Sequence, residues 1–570
     1  MAVGSETMKQ TKAGRREQAM QGANTLHPIV LQLLEQRGIT TEEARQEFLS
    51  PMPKKTYDPF LLKNMREGVE RILTAVDGDE KICVYGDYDT DGVTSVSIMM
   101  TVLKQLTDNL MYYIPSRFEE GYGLNKDAVE QLYEKGVSLI ITVDCGSVSF
   151  AEVDLAKNLG MDVVVTDHHS VEDRLANCIL INPRQKDCPY PFKGLAGCGV
   201  AYKVTQAMER MGRIPRSLLA RLLDLVAIGT IGDVVPLIDE NRTLVKYGLR
   251  ELNSGKRLSL KLFNEIVALE PGSIGSQQVA FTIVPRINAA GRMDKADTGV
   301  SMLLAEESNV IRLHSLILQG YNDKRKEVQE KTYQMCMSLL EEQCKDSLFP
   351  VILAEEAHEG ITGIVAGKIR ERINKPVVIV TPNNGMLKGT GRSTDNIDLY
   401  KVMKTQENLF VKFGGHKGAC GFTMEEANLD KLRKGLHQQL AAMDSSVMTN
   451  SIAFDLDIDP NAVTADVIQQ VNVLEPFGSG NPSPLFRLQK VKVDSVRYMG
   501  NHQQHVRIGV YKGNGPVVAA VLFSIAADYK EILEKGNTID IIGSLSVNRF
   551  NGREIPQIEI RHMKESGSCM

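Results

Sequence analysis

The chain has 570 residues, of which 43% are hydrophobic and 24% charged, and its formal net charge is -5 at pH 7. It is long enough for three or four globular domains, and its net charge neither demands nor excludes a nucleic-acid partner. Nine cysteines without a CxxC pair indicate a reducing compartment and argue against a zinc site or a disulfide framework. No apolar run suits a signal peptide or a membrane span, so we expect a cytoplasmic protein without a membrane partner.

The chain begins with a polar tail and a helical preface, which we assign to residues 1–79. Apolar residues recur there at helical spacing until Pro51-Met52-Pro53 interrupts the pattern. From Lys81, short β-rich runs alternate with helical stretches, which is typical of a parallel sheet in an α/β domain, here residues 80–250. The predicted strands are Ile82–Tyr85, Met111–Ile114, Ser138–Val143, Asp162–Thr166 and Cys178–Asn182.

Three acids at alternate positions, Asp87, Asp89 and Asp91, follow the first predicted strand. Carboxylates this close repel one another, so such a cluster persists most easily around a bound cation. The alternative is a solvated turn in which one acid caps the next helix, predicted from Val93. A cap needs only one acid, so the pattern favours a metal site.

Polar residues follow two further strands. Asp144 comes directly after the third predicted strand, and Asp167-His168-His169 comes after the fourth. The carboxyl ends of parallel strands lie along one edge of a sheet, so these groups should converge. Asp233 stands in an apolar stretch, where it either meets a cation or caps a turn before Pro236.

These residues, in this order, resemble the four motifs of the DHH phosphoesterase superfamily. The glycine-rich Gly414–Phe422 resembles the motif of the domain that accompanies them, and the likeness to bacterial DNA exonucleases of the superfamily extends over residues 60–565. Thr90 stands where the family more often has Ala. Tyr85 stands where some relatives have a histidine ligand, so no ligand is expected at that position.

The resemblance implies two metal ions and a set of residues around them. Carboxylates and imidazole without thiolate suit Mn²⁺ or Mg²⁺, and the histidine favours Mn²⁺. Asp144 would bridge the ions, and Asp87 and His169 would act beside them, Asp87 as a second-layer or substrate-facing acid and His169 on the phosphate. The implied ligands are Asp89, Asp91, Asp144, His168 and Asp233.

The rest of the chain is predicted to bind the substrate. A long helical stretch, Thr298–Cys344, makes residues 251–345 a connector to a second α/β domain at residues 346–448. Arginine forks suit phosphate oxygens, although ordinary salt bridges explain them as well. We expect the arginines among them on loops that face a cleft between the lobes. The predicted contacts are Arg117, Arg286, Asn288, Arg292, Arg392, Ser393 and His416.

Residues 449–570 contain many short strands with turn signals, which predict a small β-barrel of OB type. Arg487, Lys490 and Lys492 lie in a basic stretch with interleaved aromatic residues. Such a surface binds single strands through phosphate attraction and base stacking, whereas the alternative is a solvated sheet face.

The resemblance therefore implies a metal-dependent 5′→3′ exonuclease that releases mononucleotides from single-stranded DNA in repair and recombination. A helicase and a single-strand-binding protein are expected partners, and the enzyme is expected to be a monomer. One alternative is hydrolysis of short oligoribonucleotides or cyclic dinucleotides, but such enzymes generally need no OB-like barrel. Another is a Cdc45-like binding scaffold, which requires that the metal ligands be lost.

Overall fold

The computed structural model describes residues 26–171, 174–443, 453–500, 503–523, 529–533, 536–550 and 553–567, so the polar tail lies outside the described residues. The chain forms two compact units. The main unit comprises Lys54–Asn450 and Gly478–Asn481, and the barrel unit comprises the described parts of Met1–Pro53, Ser451–Phe477 and Pro482–Met570. No helix in the described ranges is long and apolar enough to cross a membrane.

The main unit begins with a parallel five-stranded sheet, which confirms the predicted α/β fold. Its strand order is β2-β1-β3-β4-β5. Both faces of the sheet are buried: Ile82 and Val84 enter one apolar cluster, and Cys83 and Tyr85 enter another. Burial on both faces explains why these strands are continuous apolar runs. The strands are β1 Ile82–Tyr85, β2 Leu110–Tyr113, β3 Leu139–Val143, β4 Asp162–Thr166 and β5 Ile179–Ile181.

Helices cover this sheet and continue beyond it. The predicted connecting helix is divided, because the chain is extended at Ala305 and Glu307. The segment around Arg286 and Arg292, predicted as a loop, is helical and follows the π-helix Val279–Ile283. The helices are α1 Pro28–Gln36, α2 Glu42–Leu49, α3 Met65–Asp77, α4 Thr90–Leu103, α5 Lys126–Glu134, α6 Phe150–Asn158, α7 Gly197–Arg210, α8 Arg216–Gly232, α9 Asp239–Ser254, α10 Leu258–Ile266, α11 Ser276–Gln278, α12 Val284–Met293, α13 Asp297–Leu304 and α14 Ser308–Cys344.

The second lobe of the main unit is a mixed five-stranded sheet in the order β6-β7-β8-β10-β9. The first two strands are parallel, and the remaining pairs are antiparallel. Strand β9 lies at one edge of the sheet, and its turn into β10 carries the glycine-rich motif. The elements are β6 Val351–Leu353, α15 Glu359–Ile373, β7 Val377–Asn383, β8 Met386–Arg392, α16 Leu399–Lys404, β9 Phe410–His416, β10 Ala419–Met424 and α17 Leu429–Ala441.

The barrel unit is a six-stranded sheet in the order β11-β12-β13-β14-β16-β15. An additional pairing between β12 and β15 closes the sheet, which confirms the OB-like barrel. The N-terminal helices belong to this unit. Val30, Leu33 and Leu34 are fully buried in one core with Phe486 and Leu488 of the barrel. The elements are β11 Leu456–Asp457, α18 Ala465–Val471, β12 Phe486–Met499, β13 His505–Tyr511, β14 Val518–Leu522, β15 Thr538–Phe550 and β16 Arg553–Glu565.

Candidate metal centre

The acidic turn after β1 uses one of its three acids as a helix cap. The Asp89 carboxylate accepts hydrogen bonds from the backbone N–H groups of Asp91, at 2.8 Å, and Gly92, at 3.1 Å, at the start of α4. The capping interpretation is therefore correct for Asp89. The carboxylates of Asp87 and Asp91 are buried and take no part in that cap.

Asp91 is held by a second helix start. Its carboxylate oxygens accept hydrogen bonds from the backbone N–H groups of Gly197, at 2.6 Å, and Cys198, at 2.8 Å, at the beginning of α7. A Cβ atom at Gly197 would lie 2.6 Å from Oδ1 of Asp144, so only glycine permits this approach. Asp91 and Asp144 therefore both lie against the backbone at the start of α7.

Asp144 follows β3 in a left-handed backbone conformation, with φ of 61°, which Asp adopts more readily than most residues. Its Oδ1 lies 3.0 Å from Nε2 of His168. The same nitrogen is 3.5 Å from Asp233 and 3.7 Å from Asp91. Three carboxylates from different elements therefore surround one imidazole nitrogen.

The hydrogen bonding of these groups shows that they fit cations. Buried polar atoms in proteins are nearly always hydrogen bonded. Here, several buried atoms at the strand and helix ends have no hydrogen-bond partner. Ligand atoms of the site also form three groups, within each of which all atoms lie within 4.8 Å of one another: Asp144, His168 and His169; Asp91, His168 and Asp233; and Asp87, Asp89 and Asp144. Carboxylate oxygens with one imidazole nitrogen suit Mn²⁺ and Mg²⁺. The buried atoms without a partner are Asp87 Oδ1, Asp144 Oδ1, His168 Nδ1 and Nε2, and Asp233 Oδ2.

The electrostatics agree with this assignment. Burial, and then repulsion from neighbouring acids, raises the pKa of Asp144 and of Asp91. Burial and the nearby acids also raise the pKa of Asp87 and of Asp233 to about 8. Without cations, Asp87 and Asp233 therefore retain protons near neutral pH. Metal binding requires their ionised form.

We expect Mn²⁺ binding to release protons and to tighten as pH rises. The folded-state pKa values of Asp87 and Asp233 lie above the ordinary 3.8, so the ion-free protein loses stability as pH rises from about 4 to about 8. Mn²⁺ displaces those protons, so its apparent affinity increases through the same window. Calorimetry in buffers of different ionisation enthalpy counts the protons. The assignment of these protons to Asp87 and Asp233 is contradicted if the number released on Mn²⁺ binding is the same at about pH 6 and about pH 8. It is also contradicted if Asp233→Asn releases as many protons as wild type.

His169 occupies a different environment from His168. Its Nδ1 lies 2.8 Å from Oδ1 of Asp167, and the Tyr122 hydroxyl lies 3.0 Å from the same nitrogen. Burial opposes the charge, but the hydrogen bond and charge of Asp167 raise the pKa of His169 to about 9. His169 is therefore an imidazolium at neutral pH, and a cation at this place suits a phosphate oxygen.

Tyr122 is a site residue that the sequence did not identify, and Asp167 was expected at this edge of the sheet but was given no role there. Asp167 is buried, accepts a hydrogen bond from the backbone N–H of Ser147 at 3.0 Å, and has a pKa lowered, against its burial, by His169. The Tyr122 hydroxyl also donates to the backbone oxygen of Asp144. A signal for Tyr122 existed, because an aromatic residue between two glycines marks an unusual loop; both glycines have positive φ.

Four arginines lie close together in the main unit: Arg117, Arg292, Arg325 and Arg392. Burial, followed by the charges of the other three, lowers the pKa of Arg292 to about 10, so it remains charged at neutral pH. Within the described ranges, the side-chain hydrogen bonds of the four go to backbone oxygens or side-chain amide oxygens and not to carboxylates. An unpaired cluster of guanidinium groups is suited to bind an anion, and Arg325 was not predicted.

Backbone contacts hold the predicted members of this cluster. Arg117 stacks 4.0 Å from the ring centre of Tyr88, the residue between Asp87 and Asp89, and its Nε donates to the Gly291 oxygen. Arg292 donates to the Gly360 oxygen at 3.1 Å. The cluster therefore begins beside the acidic turn.

Ser393 and His416 lie at the glycine-rich turn of the second lobe. Ser393 follows Arg392 at the end of β8, its hydroxyl donates to the Ile397 oxygen at 3.0 Å, and its N–H donates to the Gly418 oxygen. His416 is exposed on β9 and accepts from the Gly418 N–H at 3.2 Å. These three hydrogen bonds fix the turn next to Arg392.

Two other predicted contacts of the main unit have protein partners. Arg286 lies on α12, not on a loop, and donates to Gln319 at 2.7 Å. The Asn288 amide oxygen accepts from the N–H of Thr90 at 2.8 Å and from its hydroxyl at 2.9 Å. Asn288 therefore holds the acidic turn, which turns the Thr90 side chain toward α12.

In the barrel unit, Arg487 donates to Asp457 at 2.7 and 3.0 Å and lies over the ring of Phe454. Lys490 has a positive φ, and its N–H donates to Asp540. Lys492 is exposed on β12. The charge of Arg487 is therefore partly offset, whereas Lys492 presents its charge to solvent.

Comparison with known proteins agrees with this geometry. Three family profiles match the chain: the DHH family N-terminal domain over residues 81–230, the DHHA1 domain over residues 346–442 and the RecJ OB domain over residues 454–562. The fold and the acidic site thus define a DHH phosphoesterase.

The particular family follows from full-length relatives. The single-stranded-DNA-specific exonuclease RecJ of Bacillus subtilis is 36% identical over 94% of this chain and 67% of that protein, and the Escherichia coli RecJ is 32% identical over 97% and 99%. The chain belongs to the RecJ family. A crystal structure of Thermus thermophilus RecJ with Mn²⁺ is similar, with a TM-score of 0.79 and 27% identity over 95% of this chain and 79% of that one.

Proposed function

We propose that this chain is a metal-dependent exonuclease that removes mononucleotides from the 5′ end of single-stranded DNA and acts in repair and recombination. The observation that carries the proposal is the convergence of buried, unpartnered ligand atoms from four strand and helix ends. Its first test is release of mononucleotides from a single strand with Mn²⁺ and the absence of release with EDTA.

We assign the metal ligands to Asp89, Asp91, Asp144, His168 and Asp233. Asp144 and His168 each belong to two of the three groups of ligand atoms, and we assign the bridging role to Asp144 because only a carboxylate has two oxygens to offer to two ions. These residues would hold two Mn²⁺ or Mg²⁺ ions, which would supply Lewis-acid polarisation of the scissile phosphate and activation of water. The choice of Mn²⁺ or Mg²⁺ is supported by the ligand atoms, which are carboxylate oxygens and an imidazole nitrogen.

The remaining residues orient the reactants. Asp87 offers an unpartnered buried oxygen that accepts a hydrogen bond from the attacking water. The His169 imidazolium, held by Asp167 and Tyr122, donates to a phosphate oxygen and offsets its growing charge. The water oxygen bonds to phosphorus, and the bond to the 3′ oxygen of the terminal nucleotide breaks.

The arginine cluster accounts for the direction of digestion. A two-ion centre does not distinguish strand polarity, so a second group must bind the terminal phosphate. Arg117, Arg292 and Arg392 lie together, and Arg117 stacks on Tyr88 of the acidic turn. Breaking the bond to the 3′ oxygen leaves a new 5′ phosphate on the shortened strand. Each cut therefore regenerates the group that the cluster binds.

The other candidate functions fit less well. Hydrolysis of short oligoribonucleotides or cyclic dinucleotides makes no use of the barrel at residues 454–562. A Cdc45-like scaffold without catalysis requires the loss of ligands, whereas the carboxylates and the histidine pair are all present here. The exonuclease uses both features.

We propose five segments: 1–79 as tail and preface, 80–250 for catalysis, 251–345 as connector, 346–448 for holding the strand end and 449–570 for binding single strands. The cluster recognises a strand end and cannot itself separate a duplex, so a helicase and a single-strand-binding protein are the natural partners. We further propose that the enzyme is a cytoplasmic monomer.

Neutralising Arg487, Lys490 and Lys492 with glutamine should weaken binding to long single strands and flatten its salt dependence. Each lost phosphate contact lowers the slope of log K against log salt by about 0.7. Because Arg487 is paired with Asp457, we expect a total change of roughly 1 to 2. Fluorescence anisotropy at several salt concentrations measures it. If the triple variant keeps the wild-type slope of log K against log salt, strand β12 does not contact the DNA. Arg213→Gln is the matched surface control and should leave that slope unchanged.

A further inference from the structure

A short turn from the C-terminal part of the chain lies within the main unit. Gly478–Asn481 belongs to the main unit, although the residues on both sides of it belong to the barrel unit. The turn is closed by two backbone hydrogen bonds, from the Gly478 N–H to the Asn481 oxygen at 2.9 Å and from the Asn481 N–H to the Gly478 oxygen at 3.2 Å. The turn is therefore closed by its own backbone and is part of the main unit.

The turn packs directly on residues 236–238. The Leu237 N–H donates to the Ser479 oxygen at 2.7 Å. A Cβ atom at Gly480, where φ is 71°, would lie 2.9 Å from Cβ of Pro236, and one at Gly478 would lie 2.7 Å from Cδ1 of Leu237. Gly480 is thus required both by the closeness of this contact and by its positive φ, whereas at Gly478 the nearest atom is the end of a flexible leucine side chain.

The contacted segment begins at Asp233. The Asp233 N–H closes helix α8 on the Gly229 oxygen at 2.9 Å, and the next residue, Val234, has φ of 60°. A β-branched residue in this conformation is strained. The Val234 side chain is 69% exposed, so its own packing does not impose the strain.

Such strain persists where surrounding contacts fix the chain. Two contacts do so here: the Pro236 oxygen accepts from the Asn241 side chain at 3.0 Å, and the Leu237 N–H bonds to the turn. The path from Asp233 to Leu237 is thus held at one end by a helix and at the other partly by the turn. Moving the turn moves the segment that leaves Asp233.

We propose that the turn Gly478–Asn481 is a positioning element for Asp233 and that it thereby sets the affinity of the metal centre for Mn²⁺. The inference rests on the proposed role of Asp233 as a metal ligand. Neither Ser479 nor Gly480 touches the reacting atoms, so their effect is on metal binding and not on the chemical step.

The test is Gly480→Val, which places a branched side chain against Pro236. Loss of a group that orients a metal ligand typically weakens metal affinity by 10-fold to 100-fold, so we expect the Mn²⁺ dissociation constant to rise by roughly tenfold in calorimetry. The turnover rate at saturating Mn²⁺ should stay within about twofold of wild type, because the ligands are unchanged.

Gly513→Val is the matched control. Gly513 has φ of 58°, and a Cβ atom at this position would have no neighbouring atom within 4 Å, so this variant carries the same backbone strain without the contact. It should keep wild-type Mn²⁺ affinity. Gly480→Ala serves in place of Gly480→Val if thermal melting shows that the valine variant is unfolded. Wild-type Mn²⁺ affinity in the folded Gly480 variant, or equal weakening in Gly513→Val, overturns the inference.

A comparison with Asp233→Ala separates this inference from the proposed function. If Asp233→Ala binds Mn²⁺ as wild type does, the ligand assignment is wrong and the positioning role falls with it. If Asp233→Ala is weakened but Gly480→Val is not, only the positioning role is wrong.

Discussion

Asp144→Asn should reduce hydrolysis by at least about a thousandfold, equivalent to roughly 4 kcal/mol of lost transition-state stabilisation. Asp144 belongs to two groups of ligand atoms, so neutralising it weakens both ion positions at once. Asparagine is the preferred substitution because it retains the shape of the side chain and tolerates the left-handed backbone at this position. Asp144→Ala should also be inactive. Single-turnover digestion of a labelled strand at saturating Mn²⁺ measures the loss.

Asp162→Asn is the matched control, because Asp162 begins β4 at the opposite edge of the same sheet. It should retain activity within about threefold of wild type, since substitutions of exposed residues away from a site have small effects. Activity of Asp144→Asn within tenfold of wild type would contradict the bridging role. Circular dichroism should show that both variants are folded.

A 5′-phosphorylated strand should be digested faster than a 5′-hydroxyl strand, and Arg392→Ala or Arg117→Ala should narrow the difference. A charge-assisted contact contributes about 1.5 to 3 kcal/mol, so each variant should lose roughly 10-fold to 100-fold on the phosphorylated strand. The hydroxyl strand lacks the phosphate and should be affected much less. Comparison of kcat/KM for the two strands measures the effect.

Arg213→Ala controls for the loss of a guanidinium group. Arg213 is paired with Asp77 on the surface of the main unit, so its removal should leave the preference unchanged. If both cluster variants keep the wild-type preference, the cluster does not bind the 5′ phosphate. If the control narrows the preference equally, the effect is one of overall charge.

Much of the first sheet and its acidic edge could be predicted from the sequence. Runs such as Ile82–Tyr85 are apolar at every position because both faces are buried, and that pattern is local. The convergence of Asp91, Asp144 and His168 follows from parallel strands alone. These predictions needed no knowledge of distant contacts.

The helix α12 was mistaken for a loop for a definable reason. Pro285 and Gly291 both disfavour a helix interior. Pro285, however, lies just after the π-helix Val279–Ile283, where the helical hydrogen-bond pattern changes, and the chain remains helical through it. Gly291 lies against the Tyr88 oxygen, 2.6 Å from where a Cβ would be, so its presence reflects a close approach to the acidic turn.

Contacts between distant parts of the chain could not be predicted. Helical spacing around Leu33 indicates an amphipathic helix but not its partner, which lies in the barrel, and the His27 N–H bonds to Gln470 across 443 residues. For the same reason, removing the barrel would expose Val30 and Leu34 to solvent. Point substitutions on β12 therefore test DNA binding more cleanly than truncation does.

The most direct measurement follows the products from strands labelled at either end, with Mn²⁺ and with EDTA. A strand with a 5′ label should release labelled mononucleotide from the earliest times. A strand with a 3′ label should shorten progressively and yield labelled mononucleotide last, and EDTA should stop both reactions. Early release of the 3′ label, internal fragments from the 5′-labelled strand, or digestion in EDTA would contradict a metal-dependent exonuclease that begins at the 5′ end.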